Sequence, residues 1–76
     1  ARLAHLLLNL SNSFGAEVPE GLAITTKVTH QELANLIGTT RETVSLTLGQ
    51  FRQSGLITME KRQIILSNKE GLTRLL

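Results

Sequence analysis

The stretch T-H-Q-E-L-A-N-L-I-G-T-T-R-E-T-V-S-L-T-L-G-Q-F-R-Q-S-G, Thr29 to Gly55, predicts two helices joined by a tight turn. Thr29 and Glu32 have the Ser/Thr-x-x-Glu spacing of a capping box, in which each side chain satisfies the other residue's backbone N–H. Leu33, Leu36 and Ile37 then recur at helical spacing and give one apolar face. Ala34 is small enough to let a second helix approach closely. Gly38 suits the left-handed conformation that ends a helix. Thr39 and Glu42 repeat the capping-box spacing almost at once; the alternative is Thr40 as the cap, which leaves Glu42 free. Two helices separated by so few residues must cross steeply, as in a helix-turn-helix.

The second helix is expected from about Thr40 to Ser54, stopped by Gly55. Val44, Leu48 and Phe51 fall at i, i+4 and i+7 and face the core. Arg41, Glu42, Ser45, Gln50 and Arg52 are left to solvent. Arg41 and Glu42 occupy the first turn, the end of a recognition helix that enters a major groove. An Arg side chain can take guanine through O6 and N7, and a Glu can accept from cytosine N4. An arginine in a first turn opposes the helix dipole, so an external partner is expected for Arg41.

At these residues the chain resembles a known family. T-T-R-E-T-V-S followed by L-G-Q-F-R-Q-S-G-L-I is similar to the DNA-binding domain of the Crp/Fnr transcription regulators, the cyclic-AMP receptor protein family. The likeness runs from the leading helix to about Ile65, and Arg41-Glu42-Thr43-Val44 is its most specific part. It implies that Arg41 and Glu42 read bases and that Thr40 and Thr43 contact phosphate. Where the family commonly has a third base-reading arginine this sequence has Leu46, a side chain suited to a thymine methyl. Thr47 likewise stands where the family has a branched apolar residue. Ser45 and Leu46 complete the expected base-reading set. His30 stands in the first turn of the first helix, where family members often contact the backbone. His30 is expected, with Thr29 and Gln31, to touch phosphate, although capping alone accounts for Thr29.

Working outward, Arg2 to Phe14 is an amphipathic helix, with Leu3, Leu6, Leu7, Leu10 and Phe14 on its core face and Gly15 as its stop. Ala16 to Gly21 reads as a linker with Pro19 and Gly21 as turn formers. Leu22 to Val28 alternates and is rich in β-branched residues, the pattern of a short strand. Leu56 to Glu60 and Gln63 to Leu66 read as two strands around Lys61-Arg62, a wing whose turn carries no glycine to fix its type. Lys61 and Arg62 at that tip suit phosphates, which hold a duplex without reading it. Asn68 caps a last helix, Lys69 to Leu75, whose leucines Leu72, Leu75 and Leu76 are expected to pack back.

Composition narrows the classes. Seventy-six residues make one small domain. The net charge of +2 is modest for a nucleic-acid binder, although the sequence is basic. There are two aromatics, Phe14 and Phe51, both at core spacing, so stacking on single strands is poorly supported. Without cysteine there is no disulfide or thiolate metal site, and His5 and His30 stand apart with no carboxylate cluster. No nucleophile elbow, Walker loop or dinucleotide fingerprint occurs, so no enzyme is expected. No apolar run is long enough to span a membrane and no signal-peptide pattern stands at the start, so a cytoplasmic protein is expected.

The expectation is a small α+β winged helix-turn-helix: leading helix, short strand, helix-turn-helix, β-hairpin wing and short final helix. Residues 1–76 form this one domain, a piece of a longer protein. The resemblance adds a preceding sensor domain and dimerisation helix, a homodimer on an inverted repeat, and RNA polymerase as a partner of the intact protein. No cofactor belongs to this segment, and the sequence does not name the effector, the operator, or activation against repression. The expected partner is double-stranded DNA. The rival is a winged helix for protein contact, favoured if the charges scatter and a leucine patch is exposed.

Overall fold

The computed structural model describes residues 2–76; Ala1, part of the expected domain, lies outside them. The order is α1 (Arg2–Phe14), β1 (Gly15–Val18), β2 (Gly21–Ile24), α2 (His30–Ile37), α3 (Arg41–Gln53), β3 (Ile57–Glu60), β4 (Gln63–Leu66) and α4 (Lys69–Thr73). The strands form one antiparallel sheet in the order β1-β2-β4-β3. Leu3 and Leu7 of α1, Leu33 of α2, Val44, Leu48 and Phe51 of α3, and Ile57 and Leu66 of the sheet close into one core. The α+β winged helix-turn-helix read from the sequence is the fold observed.

Helix α2 begins as its capping box requires. The Thr29 hydroxyl accepts from Glu32 N–H at 3.0 Å, and Glu32 Oε1 accepts from Thr29 N–H at 3.0 Å. Gly38 ends it at φ 72°, and the N–H groups of Gly38 and Thr39 both reach the Ala34 carbonyl. Arg2 of α1 donates to the Ile37 carbonyl at 3.1 Å, placing a cation at the negative end of that helix.

Several details depart from the sequence reading. The segment 16–21 is not a linker: Gly15–Val18 is strand β1, paired with β2 from Gly15↔Ile24 to Val18↔Gly21. It is an edge strand exposed over most of its length, so no apolar alternation marked it. The strand expected at 22–28 is shorter, Gly21–Ile24, because Thr25 turns away and gives both its N–H and its hydroxyl to the Phe14 carbonyl. Ala23 and Ile24 are both buried, since β2 lies inside the sheet, and simple in-out alternation fails there. Leu36 is 63% exposed and Phe14 47% exposed, against the core roles expected of both. The stripe that α2 turns inward is Leu33, Ala34 and Ile37, so Leu36 falls beside it. The last helix stops at Thr73; Leu72 is fully buried, but Leu75 and Leu76 are exposed rather than packed.

Gly21 sits at φ 148°, and a Cβ there would run into the Leu66 backbone carbonyl. The close approach belongs to the β2–β4 pairing, Leu22↔Leu66 and Ala23↔Ile65, which fixes the wing to the body.

Candidate nucleic-acid interface

Thr40, not Thr39, caps α3. Its hydroxyl accepts from Thr43 N–H at 3.2 Å and lies 3.0 Å from the Thr43 hydroxyl. The tandem threonines made both assignments compatible with the sequence, and the backbone selects the later one. The Thr39–Glu42 capping box is therefore absent, and the Glu42 carboxylate is free of backbone duty. It lies 3.6 Å from the Arg41 guanidinium, with both side chains well exposed. Arg41 thus has an intramolecular neighbour where only an external partner was expected. An exposed pair of this kind is worth little by itself, about 0–1 kcal/mol, and yields readily to a better partner.

Residues i and i+4 share a helix face, so Arg41 lies in line with Ser45, and Glu42 with Leu46. Leu46 is 65% exposed. Farther along the same face Gly49 opens onto free space. The face presented by α3 is therefore a fork, a carboxylate, a hydroxyl and an isobutyl group in two adjacent rows. These are the four residues expected to read bases, and three of them, Arg41, Glu42 and Leu46, are exposed while Ser45 is half-buried.

The N-terminus of α2 adjoins this face. His30 Nδ1 lies 2.8 Å from the Ser45 hydroxyl, a bond between the two helices of the motif. Gln31 donates instead to the Asn35 side chain at 2.9 Å, along its own helix, and remains exposed. Thr29 has its hydroxyl oxygen engaged as a cap acceptor, which leaves its proton to donate.

The wing tip completes the surface. Lys61 and Arg62 form the two-residue turn of the β3–β4 hairpin, at φ 49° and 66°. Positive φ at both central residues is the requirement of a type I′ turn, normally met by Asn-Gly. Both side chains are exposed. With Lys27, Thr29 and Glu32 they line a concavity between the wing and the start of α2. Lys27 was not singled out from the sequence; its only signal was a basic residue two places before a helix cap. Lys61, Arg62 and Lys27 share that hollow with Thr29 and Glu32 of the α2 cap.

Against the rival reading, the exposed leucines come from different elements: Leu36 from α2, Leu46 from α3, and Leu75 and Leu76 from the end of the chain. Among the described residues no helix is long and apolar enough to cross a membrane, and no three His, Asp or Glu side chains gather as metal ligands.

A helix-turn-helix with an exposed second helix, flanked by a basic hairpin wing on an antiparallel sheet, defines a winged helix-turn-helix DNA-binding domain. The family model described as the Crp-like helix-turn-helix domain matches residues 1–75. The chain belongs to that family. It is 40% identical over 74 residues to the global nitrogen regulator of Synechococcus elongatus, covering 97% of this chain and 33% of that protein. It is 37% identical over 73 residues to the CRP-like cAMP-activated global transcriptional regulator of Mycobacterium tuberculosis, covering 96% and 33%. Among solved structures, the imidazole-bound CO-dependent transcription factor of Carboxydothermus hydrogenoformans superposes with a TM-score of 0.87 at 30% identity, over 96% of this chain and 35% of that one. A CRP/FNR-family transcriptional regulator from Thermus thermophilus gives 0.84 at 35% identity, over 97% and 38%. The chain spans about a third of the length of these curated relatives. Membership in this family supports sequence-specific DNA binding in transcription regulation.

Proposed function

We propose that Arg41, Glu42, Ser45 and Leu46 read base edges in a major groove, and that Thr40, Thr43, Lys61 and Arg62 hold the flanking phosphates. Thr29, His30 and Gln31 at the start of α2 extend the phosphate set, and Lys27 joins it. The observation that carries this reading is the exposed N-terminal half of α3, together with the tip cations of the wing and Lys27 gathered around one hollow at the start of α2. Bases are read by the first group, whereas the second supplies affinity common to all sequences. The departure at Leu46 replaces a hydrogen-bonding fork by an apolar contact suited to thymine.

The relatives named as cAMP-activated and CO-dependent support a longer, effector-controlled regulator for the whole protein. In that protein the present domain follows a sensor domain and a dimerisation helix, binds an inverted repeat as a homodimer, contacts RNA polymerase, and works in the cytoplasm. Two-fold symmetry in such a protein matches a palindromic site.

Fluorescence anisotropy tests the reading. The chain is titrated with a duplex carrying a TGTGA-like half-site, the choice implied by the family resemblance, and with a scrambled duplex, each at two salt concentrations. Tighter, salt-weakened binding to the half-site is expected. Equal, salt-sensitive binding to both would remove base reading by Arg41 and Glu42 on that site and direct attention to Leu46. No binding at low salt would refute the interface.

A further inference from the structure

The bond between His30 and Ser45 crosses from α2 to α3 at 2.8 Å, between residues 15 positions apart. We infer that the two form a specificity-determining pair, in which the imidazole sets whether Ser45 offers a lone pair or a proton to the base it faces. The inference rests on the placement of α3 in a major groove.

A serine hydroxyl has one proton and two lone pairs, and a neutral imidazole has one N–H and one acceptor nitrogen. His30 spends Nδ1 on Ser45, so Nε2 is the nitrogen left for a phosphate. A phosphate at Nε2 demands the proton there and thereby selects the tautomer whose Nδ1 accepts. The Ser45 proton then points at His30, and toward the groove the hydroxyl presents lone pairs alone. That state matches the N4 amine of cytosine. In the imidazolium both nitrogens carry protons, and Nδ1 donates to Ser45. The serine proton is released toward the groove, where it matches the O4 acceptor of thymine, the group at the same ring position. Ser45 stands one helical turn beyond Arg41 on its face, so its hydroxyl belongs with the base-facing row.

Few other charges bear on the pair. The concavity that His30 lines is completed by Ser45, Leu48, Gly49 and Arg52 of α3 and by Met59 of β3, so Arg52 is the charged group facing it from the packed elements. On α2 itself, Glu32 is turned to the Thr29 N–H.

A random-duplex selection with the chain at about pH 5 and about pH 8, the limits between which imidazole changes charge, tests the pair. At one position the cytosine-to-thymine ratio is expected to fall roughly two- to tenfold at the lower pH, the worth of one neutral hydrogen bond, while other positions hold. His30→Gln and Ser45→Ala should each abolish the shift. A wild-type site identical at both pH values, or a shift that survives in Ser45→Ala, would overturn the pair while leaving base reading intact. Enrichment of no sequence at either pH would instead reject the DNA-reading face itself, and the pair with it.

Discussion

Replacing Lys61-Arg62 by Asn-Gly should make the domain more stable and a worse DNA binder. Both residues sit in the left-handed region, at φ 49° and 66°, without being glycine. That region costs an ordinary L-residue about 1–2 kcal/mol. Asparagine enters it more easily, and glycine enters it freely but loses about 0.5–1 kcal/mol of chain entropy. The net gain for the pair is therefore about 1–2 kcal/mol, or about 4–16 °C in Tm for a domain of this size. The opposite effect falls on binding. Each phosphate contact contributes about 0.9 to the slope of log affinity against log salt, so losing two lowers it by about 1.8. Between about 50 and 200 mM salt, that difference removes on the order of tenfold from the salt-induced loss of affinity. Thermal melts followed by circular dichroism, and anisotropy titrations across that salt range, read the two effects separately. A variant that melts lower than the wild type would refute the strain assignment. An unchanged salt slope would remove the wing tip from the interface.

Arg41→Ala should cost about 1–3 kcal/mol on the preferred duplex and relax one base position, while equal weakening on every sequence would rule it out as a base reader. Thr40→Ala should destabilise the fold by about 1 kcal/mol through loss of the α3 cap, whereas Thr39→Ala should be nearly silent in denaturant unfolding; the reverse order would restore the earlier cap. Gly49→Ala, which adds a methyl to open space in a helix interior, should raise stability by about 1 kcal/mol. Gly21→Ala should lower it by more than about 2 kcal/mol, because a Cβ there meets a backbone carbonyl that has no rotamer to yield. A neutral Gly21→Ala in the same unfolding assay would show that the β2–β4 approach is not as close as described.

Features set by neighbours in the chain were legible from the sequence. The Thr29–Glu32 box, the Gly38 stop and the Val44–Leu48–Phe51 stripe each depend on residues within two helical turns, and all three are found. The errors arise where a distant partner or a choice between equals decides. Leu36 and Ala34 compete for the inward face of a helix of eight residues, and the small alanine wins because α2 lies close to its neighbours. Strand β1 is defined by its backbone pairing with β2, which leaves no mark on its side chains. Thr39 and Thr40 are chemically equivalent caps, separated only by where the turn ends. The His30–Ser45 bond joins residues that each looked like an independent DNA contact, and no spacing rule connects them. Lys27 shares a hollow with Lys61 and Arg62 only because the wing tip folds toward the start of α2.

The attachment of the wing is one-sided. Strand β4 meets β2 only through Leu66 and Ile65, while Ile64 and Gln63 pair outward with β3 alone. The hairpin is therefore a cantilever, clamped at its base and supported by a single ladder toward its tip. Amide protons near Ile65 and Leu66 should exchange only when the sheet opens as a whole, and those near Glu60 and Gln63 when the hairpin alone frays. In the proposed complex a lever of this kind would let two cations follow the path of a sugar–phosphate strand, straight or curved, while the core beneath Leu66 keeps its packing.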